Sequence, residues 1–177
     1  MLKLHGSHIF LRAMEPADID FLYLMENDVT IWEVSDTKTP YSRFILKKYL
    51  DNCDKDIYEM KQLRLAISDN ENELKGLIDL FEFDPANYRA GVGIVLRKEE
   101  RKKGIAEEAL NILSEYAFNT LGLRQLYAHI TADNEASKRL FTKCGFEQTG
   151  VKKQWAYHKG IFKDVLFYQK LNTDHVS

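Results

Sequence analysis

The sequence predicts an α/β fold: a mixed, mostly antiparallel sheet of about seven strands packed by four helices. Two observations carry this. Short apolar segments of period two alternate with longer segments of period 3.6 in the order β-α-α-β-β-β-α-β-α-β-β. The segment AGVGIVL (residues 90–96) is almost wholly apolar, which suits a strand buried on both faces. With 177 residues, three prolines and no Pro/Gly/Ser linker, the chain reads as a single domain, 1–177, with its core at about 8–171.

Taken in order, HIFLRAM opens the sheet, with Ile9 and Leu11 alternating against Arg12. EPADIDFLYLMEND reads as a helix, with Pro16 suited to its first position and Asp18 in its first turn. Residues 29–41 are irregular, and SRFILKKYLDNC is a second helix capped by Ser42. LRLAIS and LKGLIDLFEF are strands separated by the turn DNENE, and the turn DPANY leads into AGVGIVL. From about Gly104 a helix buries Ala106, Ala109, Leu110, Leu113 and Ala117, which recur at helical spacing. RQLYAHIT is a strand, and NEASKRLFTKCG a helix that begins at Asn134 and stops at Gly145. VKKQWAY, the turn HKG and FKDVLFYQKL close the chain as a hairpin.

Composition excludes several classes of function. A net charge of −2 argues against a nucleic-acid binder that relies on global charge. No run of ~18 apolar residues is present, so no membrane span is expected, and a cytoplasmic location follows. Cys53 and Cys144 form no C-x-x-C pair, so neither a disulfide framework nor a metal site is expected; Cys144 reads as a small buried hydrophobe.

The most informative stretch is RKKGIAEEAL, residues 101–110. Arg101, Lys102 and Lys103 stand with Gly104 directly before a helix. Unpaired N–H groups and the macrodipole make a helix N-terminus an anion seat. Gly104 lets a ligand approach the main chain closely. The P-loop string is absent, and Gly91 and Gly93 lack the third glycine of the dinucleotide fingerprint. The remaining pattern is R-x-x-G-x-A, at Arg101, Gly104 and Ala106.

That pattern after an apolar strand, followed by N-x-x-S-x-x-L-F-x-x-x-G-F at Asn134, Ser137, Leu140, Phe141, Gly145 and Phe146, resembles the GCN5-related N-acetyltransferase (GNAT) family. The resemblance runs along nearly the whole chain. FLRAMEPADIDFLYLMEND is similar to the branch of ribosomal-protein N-terminal acetyltransferases, and KGLIDLFEF through LFYQKL to bacterial spermidine N-acetyltransferases. It implies a GNAT fold and acetyl-CoA as cofactor. The pyrophosphate would rest on main-chain amides of Arg101, Lys102, Lys103, Gly104, Ile105 and Ala106, with Glu107 one step into the helix. The pantetheine would add like a strand to Ile94, Val95 and Leu96. Asn134, Ser137 and Phe141 share one helical stripe that would face the pantetheine and thiol.

The implied reaction is direct acetyl transfer to a primary amine (a polyamine, a protein N-terminus or another small amine) within a ternary complex. It requires a base, because an alkylammonium has a pKa of ~10.4. Glu82 is the expected base, on a strand face shared with Ile78 and Leu80, with Asp79 opposite as the reserve. The Leu96 N–H is the expected donor to the carbonyl oxygen. Many family members protonate the leaving thiolate with a tyrosine; here Phe141 stands in that place, and Tyr127 and His129 are candidate donors. The resemblance brings the acceptor in between the first two helices and the last hairpin, where Trp32, Glu33, Asp36, Trp155, Tyr157 and His158 offer acids and aromatics for a cation. The hairpin could also pair with a second chain as a homodimer. The competing reading, supported by Phe141, is a catalytically weak acyl-CoA-binding sensor or accessory module.

Overall fold

The computed structural model describes residues 4–32, 37–52 and 55–174. The strands are β1 (Ile9–Ala13), β2 (Leu63–Asp69), β3 (Leu74–Asp84), β4 (Arg89–Leu96), β5 (Gln125–Thr131), β6 (Glu147–His158) and β7 (Ile161–Leu171). The helices are α1 (Ile19–Glu26), α2 (Arg43–Leu50), α3 (Ile57–Met60), α4 (Ile105–Asn119) and α5 (Glu135–Lys143). The single turn of α3, capped by Asp56, is one that apolar periodicity did not announce.

The seven strands form one sheet in the order β1-β2-β3-β4-β5-β7-β6. Every pairing is antiparallel except β4 with β5. Each face carries its own core. On one, Ile78, Leu80, Phe83, Leu126 and Ile130 pack against Ala109, Leu110, Leu113 and Ala117 of α4 and Phe141 of α5. On the other, Ala66 and Leu77 pack against Phe21, Leu22 and Met25 of α1 and Leu46 and Leu50 of α2.

Local signals set the helix boundaries. The Ser42 side chain accepts from the Ile45 N–H and the Asn134 side chain from the Ser137 N–H. Glu108, in the first turn of α4, accepts from the His8 main-chain N–H at 2.9 Å and lies 3.2 Å from His8 Nδ1, fastening the N-terminal segment to that helix. The hairpin between β6 and β7 turns through Lys159 and Gly160, both at positive φ, as a right-handed twist requires.

Candidate active site

The site follows from a divergence within the sheet. β4 and β5 pair only from Arg89↔Gln125 to Gly91↔Tyr127, whereas β4 stays paired to β3 out to Leu96. The Tyr88 carbonyl accepts from β5-side amides of Arg124 and Gln125, and the Arg97 N–H donates to Lys75 on the β3 side. Strand alternation therefore turns the main-chain groups of Ile94 and Leu96 toward the side that β5 has left. Val95 directs its own groups to β3 but contributes its half-buried side chain to the same segment.

At the end of β4 the chain passes through a 3-10 turn, Lys98–Glu100, into the charged turn. The first helical bond of α4 runs from the Glu108 N–H to the Gly104 carbonyl, so the amides of Ile105, Ala106 and Glu107 precede the ladder. Gly104 adopts φ 82°, ψ −6°, and a Cβ there would meet nothing within 4 Å. The backbone conformation calls for glycine, and the space in front of it is open. Lys102 is also left-handed, at φ 62°. Lys103 pairs with Glu100 at 3.0 Å and Glu107 with Lys143 at 2.7 Å, and the Arg101 guanidinium lies 3.4 Å from the Leu96 carbonyl. Exposed Lys102 and the half-paired cations beside it leave net positive charge over this helix end.

Glu82 departs from the expected alternation. β3 carries an extra residue between Phe81 and Asp84, where it faces Gly91 and Arg89 of β4, and Glu82 itself sits at φ 48°. This is a β-bulge. Phe83 takes over the face of Ile78 and Leu80, and its N–H donates to the Lys61 carbonyl at 2.9 Å. Glu82 is thereby turned out of that apolar face and presented, exposed, where β4 and β5 part. There the Tyr127 hydroxyl donates to Glu82 Oε2 at 2.5 Å.

Tyr127 and His129 do share a face, and it is the face Glu82 reaches. With Phe81 and Phe167 they form an aromatic wall: Phe81–Tyr127 5.9 Å, Tyr127–Phe167 5.5 Å and His129–Phe167 5.4 Å between centroids. A Cβ on Gly91 would fall 2.3 Å from the Phe81 ring, so glycine opposite Phe81 lets that ring lie across β4. Burial, then the hydrogen bond and charge of Glu82, push the Tyr127 phenol well above its ordinary pKa. Such a phenol keeps its proton and directs it at Glu82. Burial, then the Lys152 cation, lower His129 below its ordinary value. It is therefore neutral at pH 7.

Asp79, the reserve base, is engaged elsewhere. Arg64 donates to both its oxygens, at 2.7 and 3.2 Å, and to Glu26 at 2.5 Å. On α5, the Asn134 side chain is used as the cap, Ser137 is half-buried, and Phe141 is buried edge-to-face against Phe146 at 5.0 Å. Phe141 therefore offers packing alone. Cys144 is buried and unpaired, and burial pushes its thiol up, so it is not primed as a nucleophile.

The acceptor-side residues are scattered. Glu33 and Asp36 lie outside the described residues. The Trp32 indole donates to the Glu26 carbonyl at 2.8 Å. Trp155 and Tyr157 are 68% and 63% exposed on the hairpin. Tyr157 packs on Phe162 at 4.9 Å, and the face of Trp155 already holds the Lys152 ammonium, 4.9 Å from its centroid. Sequence reasoning missed Arg64, Phe81, Lys152 and Phe167. Each acts through a partner distant in sequence, and no local spacing signals it.

Among the described residues no cluster of His, Cys, Asp and Glu could hold a metal, and no helix is long and apolar enough to cross a membrane. The family model for the acetyltransferase (GNAT) domain matches residues 8–147. Spermidine N(1)-acetyltransferase of Vibrio cholerae is 28% identical over 160 residues, 90% of this chain and 91% of that protein. The uncharacterized N-acetyltransferase YoaA of Bacillus subtilis is 33% identical over 111 residues, 62% of this chain and 63% of that one. The crystal structure of the Vibrio cholerae spermidine N-acetyltransferase in complex with CoA and spermine superposes with a TM-score of 0.87 at 24% identity, covering 97% of this chain and 100% of that one, which establishes the fold. A diverging β4–β5 pair, a glycine-opened helix after it and a family match over most of the chain lead to one conclusion: the chain belongs to the GNAT acetyltransferases.

Proposed function

We propose that this chain moves an acetyl group from acetyl-CoA to a primary amine by direct attack in a ternary complex, with Glu82 as the base. The observation that carries this is the bulge that swings Glu82 to the point where β4 and β5 separate. Acetyl-CoA supplies the activated acyl thioester. The amides of Ile105, Ala106 and Glu107, with Arg101, Lys102 and Lys103 around Gly104, hold its diphosphate. Ile94, Val95 and Leu96 hold its arm along β4, and Ser137 and Phe141 border it from α5.

Glu82 removes the ammonium proton, and the amine nitrogen then attacks the acyl carbon. The main-chain N–H groups on the open side of β4 stabilise the oxygen as charge develops. Leu96 is one such donor. Ile94 is another and stands two residues, roughly 7 Å, closer to Glu82 along the strand. The C–S bond breaks, the nitrogen passes its second proton through solvent to the departing thiolate of pKa ~8.5, and no side-chain acid takes part, because Phe141 has no proton to give and Tyr127 is committed to Glu82.

The relatives named for spermidine place polyamines among the first amines to assay. The test is release of free thiol from acetyl-CoA with a panel of amines, beside calorimetric titration of acetyl-CoA and CoA. Turnover with at least one amine is expected. Binding with no turnover would favour the sensor reading, and no binding of either form would overturn both. Gly104→Glu puts a side chain at φ 82° and a negative charge against the diphosphate, and should weaken CoA binding about tenfold or more in the same titration.

A further inference from the structure

Lys152 is placed with unusual care for a hairpin lysine. Residues 152 and 155 would point to opposite faces of a regular strand. Here β6 is bulged between Lys152, opposite Val165, and Ala156, opposite Lys163, and Gln154 sits at φ 49°. Asp164 fixes the bulge by accepting from the Gln154 N–H and from Lys153 Nζ, each at 2.8 Å. The bulge brings Trp155 back over Lys152. The ammonium then lies 4.9 Å from the Trp155 centroid and 5.9 Å from that of Phe167. Two rings position the charge, and among the described residues no carboxylate pairs with it.

Phe167 is also the far end of the wall that leads to Glu82. It lies 5.4 Å from His129 and 5.5 Å from Tyr127, whose hydroxyl binds Glu82. His129 senses both charges, Lys152 lowering and Glu82 raising its proton affinity. The wall thus runs from Glu82 to a cation that no carboxylate of the described residues pairs. At that end of the wall Lys152 already lies over Trp155 and Phe167.

We propose that Lys152 determines the charge of the acceptor: the amine carries a carboxylate that reaches Lys152, and an amine with a second ammonium on that side is turned away. This rests on the acetyltransferase reading above and names its substrate class. A carboxylate reaching Lys152 gains a charge-assisted hydrogen bond, whereas a second ammonium meets like charge in a partly desolvated place.

The experiment compares kcat/KM for four acceptors: free glutamate, a short peptide with an N-terminal acidic residue, a neutral monoamine and spermidine. It uses the full chain, Lys152→Gln and Lys152→Glu. The unaltered protein should favour a carboxylate-bearing acceptor over spermidine by about tenfold. The ratio should fall in Lys152→Gln and invert in Lys152→Glu, with CoA affinity unchanged. The glutamate and peptide arms separate a free amino acid from a protein terminus as the source. Preference for spermidine in the unaltered protein, or a ratio that moves less than twofold in both variants, overturns the proposal while leaving the acetyltransferase reading intact. Thiol release with none of the four overturns the two together.

Discussion

Asp79 and Glu82 lie three residues apart on β3, and the strand gives them opposite surroundings. Asp79 is gripped by both arms of the Arg64 guanidinium, which also binds Glu26 from α1. Among the described residues, Glu82, displaced by the bulge, meets only the neutral hydroxyl of Tyr127. In the first case the carboxylate is bound by a full charge and joins α1 to the sheet. In the second it is oriented by a hydrogen bond that leaves its charge uncancelled, and its other oxygen remains available. A carboxylate serves as a base where it is held without being neutralised, and here one extra residue in a strand decides which carboxylate that is.

The contrast can be broken from either side. Arg64→Ala would leave Asp79 and Glu26 facing each other without their shared cation. It should cost about 3 kcal/mol of stability in urea denaturation. Glu82→Gln keeps the shape and removes the base. Turnover should fall about 100-fold while denaturation midpoint and CoA affinity hold; unaltered turnover would remove Glu82 from the mechanism. Tyr127→Phe removes the orienting hydrogen bond and should lower kcat about tenfold, with the KM for acetyl-CoA held.

The smallest effect concerns His129. Its pKa in the fold lies below the ordinary value, so its contribution to stability is complete above about pH 6.5 and is lost as pH falls through the folded value. The denaturation midpoint of His129→Gln should therefore decline less than that of the unaltered chain between pH 7 and pH 5. A parallel decline in the two would show that the imidazole charges without resistance.

How far the sequence could be read differs between these regions for a physical reason. Ser42, Asn134 and Gly145 mark helix ends because capping is decided within a few residues, and the apolar stripe of α4 is a local repeat. The charged turn is legible as a turn for the same cause, since Gly104 stands beside its three cations in the chain. Alternation through the letters LFEF puts Glu82 on the face of Ile78 and Leu80, and the structure does not, because the bulge arises from pairing with β4. Arg64 on Asp79, and Trp155 folded back over Lys152, depend on strands and bulges that bring distant or out-of-phase residues together. The helix α3 was invisible because one turn leaves no period to detect.

The bond between Glu108 and the segment Ser7–His8 has a practical consequence. Glu108 belongs to the helix whose first amides face the charged turn, so the segment at His8 acts as a guy-line on the anchoring point proposed for the cofactor. A shortened chain beginning at Ile9 would keep every residue assigned to catalysis, yet its affinity for CoA should fall. Saturating CoA should in turn slow proteolytic clipping near Ser7.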